Sequence, residues 1–289
     1  MIRLSLLSGV LLGTALFGQT PVVAIDVDPA FASHGIQAAP HTAKGFRPAL
    51  ERLIPMSGVK ALEPVHSYIL AIGNNTKQAI RAIVIRYPRV DKYGNTIEGE
   101  LFFNLDGPRE FPPGSTFVFT PDEQLTDVLI RHVLHGETPN LALADVCAAR
   151  RDALLAGRFD SHRFPKTTVS LDSATLKDGT VIGPDRADLI GRESRKRLVD
   201  DSLLKNMLDQ TISDAALTAM LDEHVKLWQT DPPIDPRTQL ADGVGVYQFQ
   251  LERFLSKSLR AYGRAQATVG LKEMIDAKAA IPPPHRVKE

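Results

Sequence analysis

A change of hydrophobic period constrains this chain most. Between residues 65 and 120 apolar side chains alternate with polar ones. Ile83, Ile85 and Tyr87 share one face, with Val84 and Arg86 on the other; Arg81 has the parity of the first set but sits at the strand entry. Leu101, Phe103 and Leu105 alternate with Glu100, Phe102 and Asn104, and Phe117 and Phe119 alternate with Thr116, Val118 and Thr120. A period of two is the signature of strands. Gly73-Asn74-Asn75, "KYGNT" and "PPGS" interrupt the pattern as turns, the first as a hairpin turn. Residues 65–72 and 128–135 read as further strands. Short strands joined by such turns predict an antiparallel sandwich rather than βαβ units.

After Asp185 the period moves to three and four. One helix carries "RESRKRLVDDSLLKNML". A second follows Ser213, a good N-cap, with Leu217, Met220, Leu221, His224, Val225 and Trp228 on one stripe. A third carries Leu251, Phe254, Leu255, Leu259 and Tyr262, and continues past Gly263 toward Ala280. A proline-rich linker, 230–245, separates the last two, and "IPPPHRVKE" reads as a frayed end. "LALADVCAARRDALLAG" reads as a helical insertion near 140–157. The expected layout is mainly β plus α: an immunoglobulin-like β-sandwich over 58–184 with that insertion, then a helical extension over 185–289. Residues 25–57, rich in proline, read as an extended arm with a short helix at "PALERLI".

Residues 1–24 have the form of an export signal: Arg3, an apolar run from Leu4 to Phe17, then Val22 and Ala24 as small residues before a cut. The run is about 14 residues, shorter than the roughly 20 of a spanning helix. An uncleaved anchor is the alternative. The expectation is export by the general secretory route to the periplasm or exterior, with no membrane span in the mature chain. Lysine plus arginine balance aspartate plus glutamate, 34 against 34, so net charge directs the chain to neither nucleic acid nor an anionic surface. Cys147 is the single cysteine, so no intrachain disulfide can form. In a helical context it reads as a buried, inert thiol.

The Asn-rich turn before an apolar strand and "PPGS" before another resemble bacterial extracytoplasmic immunoglobulin-like domains. "DGTVIGPD" is similar to a segment of uncharacterised exported bacterial proteins that join such a sandwich to a helical tail. The matching stretches cover about residues 60–210. The resemblance implies a fold and an envelope location and carries no known activity. The chain departs from antibody-type domains, because it has no cysteine pair and no tryptophan in its strands.

Candidate chemistry is sparse. His132 and His135 with nearby Glu137 would share a helix face and could bind zinc, but on a strand the two imidazoles diverge. His66 and His224 read as core-edge histidines. Asp160, Ser161 and His162 are adjacent in sequence, which does not make a triad. No nucleophile elbow and no phosphate-cradling glycine loop is present. "IDVDP" lacks calcium-loop spacing. "RESRKR" reads as a solvated helix face, and Asn74-Asn75-Thr76 matches a glycosylation acceptor. "TLKDGTVIGPD", 175–185, reads as structural: Asp178-Gly179 as a two-residue turn with Leu176 facing Val181, Gly183-Pro184 as a strand end, and Asp185 as a helix cap. Leu217, Leu221, Trp228, Phe254 and Tyr262 form a stripe that packs internally or against a partner. These readings lead to an exported binding or protein-interaction module without a cofactor, its partner an unknown protein or envelope component. An extracytoplasmic hydrolase and an assembly protein acting through its helices are the alternatives.

Overall fold

The computed structural model describes residues 22–104, 110–135, 143–232, 234–235, 240–241 and 243–286. The chain is mixed α and β, with mainly antiparallel sheets. Strands β1 (Val22–Val27) and β2 (Ile36–Pro40) flank the single turn α1 (Ala30–Ser33). Helices α2 (Phe46–Leu53) and α3 (Met56–Leu62) and a 3-10 turn (Glu63–Tyr68) lead into β3 (Leu70–Asn74). Next come β4 (Ile80–Arg86), the short pair β5 (Arg89–Val90) and β6 (Thr96–Ile97), β7 (Glu100–Asn104) and β8 (Thr116–Phe119). Helices α4 (Glu123–His135) and α5 (Leu143–Ala156) precede β9 (Lys166–Leu176) and β10 (Thr180–Ile182). The remainder is α6 (Leu189–Leu208), α7 (Asp214–Thr230), a ribbon of β11 (Ile234–Asp235) and β12 (Leu240–Ala241), α8 (Gly243–Ala279) and β13 (His285–Arg286).

β9 organises the larger sheet. Along one edge it pairs in parallel with β1 and then antiparallel with β10; along the other it pairs with β5 and β4. Its residues are buried on both faces, as a central strand requires. β7 extends the sheet beyond β4. The smaller sheet has the order β2-β3-β8. The two sheets share one core: Phe103 of β7 meets Phe119 of β8 edge-on at 5.0 Å, among Ile72, Ile83, Ile85 and Leu171. Helices α2 to α5 close that core, with Leu50, Val59, Leu129 and Cys147 inside it.

Several expectations are corrected. Residues 25–57 are no extended arm: β1 and β2 belong to the two sheets, and Phe31, Ile36, Phe46 and Leu50 are buried. The strand expected over 65–72 begins only at Leu70, because Pro64 opens a 3-10 turn. The strand expected over 128–135 is the second half of α4. Asp122 accepts the Leu125 N–H at 2.7 Å and caps the helix, and buried Leu125, Leu129 and Ile130 outweigh the β-branched residues nearby. The Asn74 turn joins two sheets rather than two paired strands. Its buried amide donates to the Gln78 and Phe111 carbonyls, which leaves no access for a glycan in the folded state.

The helical half has its own core of Leu203, Met207, Leu217, Leu221, Leu251, Leu255 and Leu271. Ser213 caps α7 by accepting the Ala216 N–H. α8 is not one rod. Gly263 has φ 78° and ψ 171°, a region open essentially only to glycine, and reverses the chain. The arm 264–279 therefore returns along 243–262, with Gly270 beside Phe254 and Lys278 beside Tyr247. Arg264 fastens the bend by donating to the carbonyls of Asp209 and Ile212.

Candidate functional site

Two bulges shape the outer face of the large sheet. Val84 pairs with Ser173 and Ile85 with Leu171, so Asp172 is the extra residue on β9. Ile80 pairs with Leu176 and Ala82 with Thr175, so Arg81 is the extra residue on β4. Each bulge reverses the parity of its strand: Val169 and Leu171 face the core before Asp172, Ala174 and Leu176 after it. Two charged residues thereby leave the ladder at a place where apolar alternation would otherwise continue.

Asp172 anchors the start of the helical half. Its carboxylate accepts the N–H groups of Arg186 and Ala187 at 3.0 and 2.9 Å. Asp185 then accepts the N–H of Leu189 at 2.7 Å, and that of Ile190 at 3.4 Å, which serves the open amides of α6. Burial pushes the Asp185 carboxyl above its ordinary range and Asp172 adds to the rise; the two amides and Arg286 work in the other direction. Asp185 and Asp188 both adopt positive φ, 52° and 58°, so the chain enters α6 through two left-handed residues.

The C-terminal segment straps this junction. His285 donates its N–H to the Gly179 carbonyl at 2.9 Å, and β13 lies parallel to β10. Arg286 donates to the carbonyls of Gly183 and Pro184 at 2.6 and 2.8 Å. A Cβ on Gly179 would stand 2.4 Å from the Pro283 oxygen, and one on Gly183 2.3 Å from Phe31. The expected frayed end is thus an ordered strap as far as Arg286. The Asp178-Gly179 turn is also revised. Val181 lies opposite Thr175, which sets Thr180 opposite Leu176 and leaves a three-residue loop. Only Gly179 has positive φ there, so the two-residue turn with two left-handed positions does not form. Asp178 accepts the Thr180 N–H and exchanges hydrogen bonds with the Gln78 amide.

Between the strap, α6 and the α8 hairpin lies a cavity of about 290 Å3. Its apolar wall comes from Ile83, Phe102, Phe103, Leu189 and the Ile281–Pro284 stretch. Its polar side has four cationic residues, Arg81, Lys196, Arg197 and Lys278, against two carboxylates, Glu193 and Asp200. At one end a half-buried cluster forms around buried Asp200: Tyr247 donates to Asp200, and Lys278 reaches both Asp200 oxygens at 3.2 and 3.0 Å and the Tyr247 hydroxyl. Lys278 also lies over the Tyr247 ring at 4.1 Å. Arg197 donates to the Ile281 carbonyl and holds the strap side. Thr175 lines the cleft with a buried hydroxyl that has no protein partner. Such a site is concave and apolar, has convergent polar groups and sits where two layers meet, as ligand sites commonly do.

No protein-family profile, curated protein or solved structure matches this chain.

The residues singled out from sequence fall elsewhere. His132 lies on α4, far in sequence from the cleft residues; the His135 side chain and Glu137 lie outside the described residues. Among the described residues no group of three potential metal ligands converges. His66 packs edge-on to Phe46 at 5.4 Å, and burial lowers its pKa. His224 meets buried Glu252 at 3.2 Å, and Asp160 accepts the His162 N–H. The stripe divides: Leu217 and Leu221 are buried, Trp228 stacks on Phe249 at 4.6 Å, and Phe254 and Tyr262 are exposed. "RESRKR" is only partly a solvated face. Lys196 pairs with Glu193 along the helix, but Arg192 crosses to Glu100 at 2.5 Å and covers the Phe102 ring. The cleft residues Arg81, Thr175, Asp200, Tyr247 and Lys278 carry no motif. The missed signal is the extra residue in each alternating strand, which marks the bulges.

Proposed function

We propose that the protein is an exported binding module that takes a small amphiphilic anion, an apolar body with a carboxylate head, into the cleft between sheet and helical hairpin. The observation that carries this reading is the composition of the cavity: apolar Ile83, Phe102, Phe103, Leu189 and Ile281 together with four cationic residues against two carboxylates. The apolar wall favours a hydrocarbon body, since burial of apolar area is worth roughly 25 cal/mol per Å2. The excess of cationic groups favours an anionic head over a cationic one. The Thr175 hydroxyl supplies a further hydrogen-bond partner inside. The immunoglobulin-like label for the two-sheet layer belongs to the same proposal; two mainly antiparallel sheets sharing one core support it, and the parallel β1–β9 pair is an addition to that plan. Titration calorimetry with decanoate and decylammonium tests the function. Saturable binding of decanoate, with decylammonium at least about ten-fold weaker, is expected. Equal binding of both, or none of decanoate, contradicts it.

A second reading rests on the helical surface. Leu227, Phe254 and Tyr262 are 60 %, 43 % and 73 % exposed. Exposed aromatic and aliphatic groups of this kind suit a protein-interaction face. Light scattering that shows a monomer at all concentrations counts against self-assembly through it.

A further inference from the structure

A second cavity, of about 400 Å3, opens beside the large sheet, between β5, β7 and the loop after α5. Pro88 separates Tyr87 from Arg89, so both line the same space at the end of β4. Tyr87 is 3 % exposed, and its buried hydroxyl has no hydrogen-bond partner. The buried Nε of Arg89 has none either. Arg89 donates through Nη1 to the Arg158 carbonyl at 2.8 Å and lies over the Phe164 ring at 4.6 Å. Arg163 also lies over that ring, at 5.0 Å. Arg158 lines the same cavity.

Buried donors without acceptors are costly, and both of these belong to residues that line the cavity. The neighbouring carboxylates do not supply an acceptor. Glu100 is engaged by Arg192, and Asp160 accepts the His162 N–H from its own loop. Burial, and then the like charges of Arg158 and Arg163, lower the Arg89 pKa. Burial holds the Tyr87 phenol well above its usual pKa, so it stays a neutral O–H donor. The cavity therefore presents cationic and neutral donors together, the donor set that oxyanions select.

We infer that this cavity binds the phosphoryl group of a small ligand, with the Tyr87 hydroxyl and Arg89 Nε as the inner donors and Arg158 and Arg163 closing the rim. The site is separate from the amphiphile cleft and stands or falls independently of it. The test is calorimetry of the full chain with inorganic phosphate at low salt, against sodium chloride of matched ionic strength. Saturable phosphate binding is expected. Arg163→Ala and Arg158→Ala, both at exposed positions, and Tyr87→Phe, which keeps the ring, are each expected to weaken it about ten-fold. Far-ultraviolet circular dichroism serves as the control for folding and is expected to be unchanged. No saturable heat with phosphate overturns the inference, as does phosphate binding that all three variants leave intact.

Discussion

Gly183 shows what a single residue contributes to the junction. Its φ of 103° and its contact with Phe31 and the Asp172 carbonyl leave no room for a Cβ. Gly183→Ala is expected to cost about 3 kcal/mol of stability, measured by urea unfolding, because strain and overlap act together. Cys147 is fully buried and burial pushes its thiol up to about 11. It should resist a thiol reagent at pH 8 in the native protein and react at once when the chain is unfolded; rapid native reaction would contradict the packing. His66 gives a pH dependence with a definite sign. Its folded pKa lies below the ordinary 6.5 through burial, so the unfolded chain binds the proton more tightly. Stability is full above about pH 6.5 and falls as pH drops through the folded pKa. His66→Gln should flatten that part of the urea-midpoint profile; an unchanged slope would remove His66 as its cause.

The same residues set the behaviour of elements. Gly263 has no atoms near a prospective Cβ, so Gly263→Ala meets backbone strain alone. A loss of about 1–2 kcal/mol is expected, less than at Gly183. Arg192 and Glu100 join α6 to β7 with side chains 11 % and 5 % exposed. Arg192→Met should cost about 3 kcal/mol by leaving a buried carboxylate, and the added change Glu100→Gln should recover much of it. Strands with regular alternation, such as β4, β7 and β8, were legible in the sequence, as were α5, α7 and the cap at Ser213. What alternation cannot show is an inserted residue. Arg81 reads as a strand-entry position, yet it and Asp172 each shift their strand by one register place. Helix α4 was hidden because β-branched residues raise strand propensity, while its cap depends on Asp122 being held by Arg150 from another helix. The reversal at Gly263 was hidden because one glycine in a helical pattern is ordinarily tolerated.

At the scale of the whole molecule, the "DGTVIGPD" segment determines how the two halves meet. Asp172 and Asp185 fix the entry of α6, while Gly179, Gly183 and Pro184 receive the C-terminal strap. The cleft exists because the strap and the returning arm of α8 both end beside the same bulged sheet. None of this was visible locally: Tyr247 and Lys278 are 31 residues apart in sequence, and the reversal at Gly263 brings them to Asp200. The central claim is that this cleft is the ligand site. Amide hydrogen exchange of the full chain, with and without decanoate, tests it most directly. The account predicts slower exchange at His285 in the strap and along β7 and the end of α8, with the Arg89 region unaffected. Unchanged exchange around the cleft, or protection confined to another surface, would contradict it.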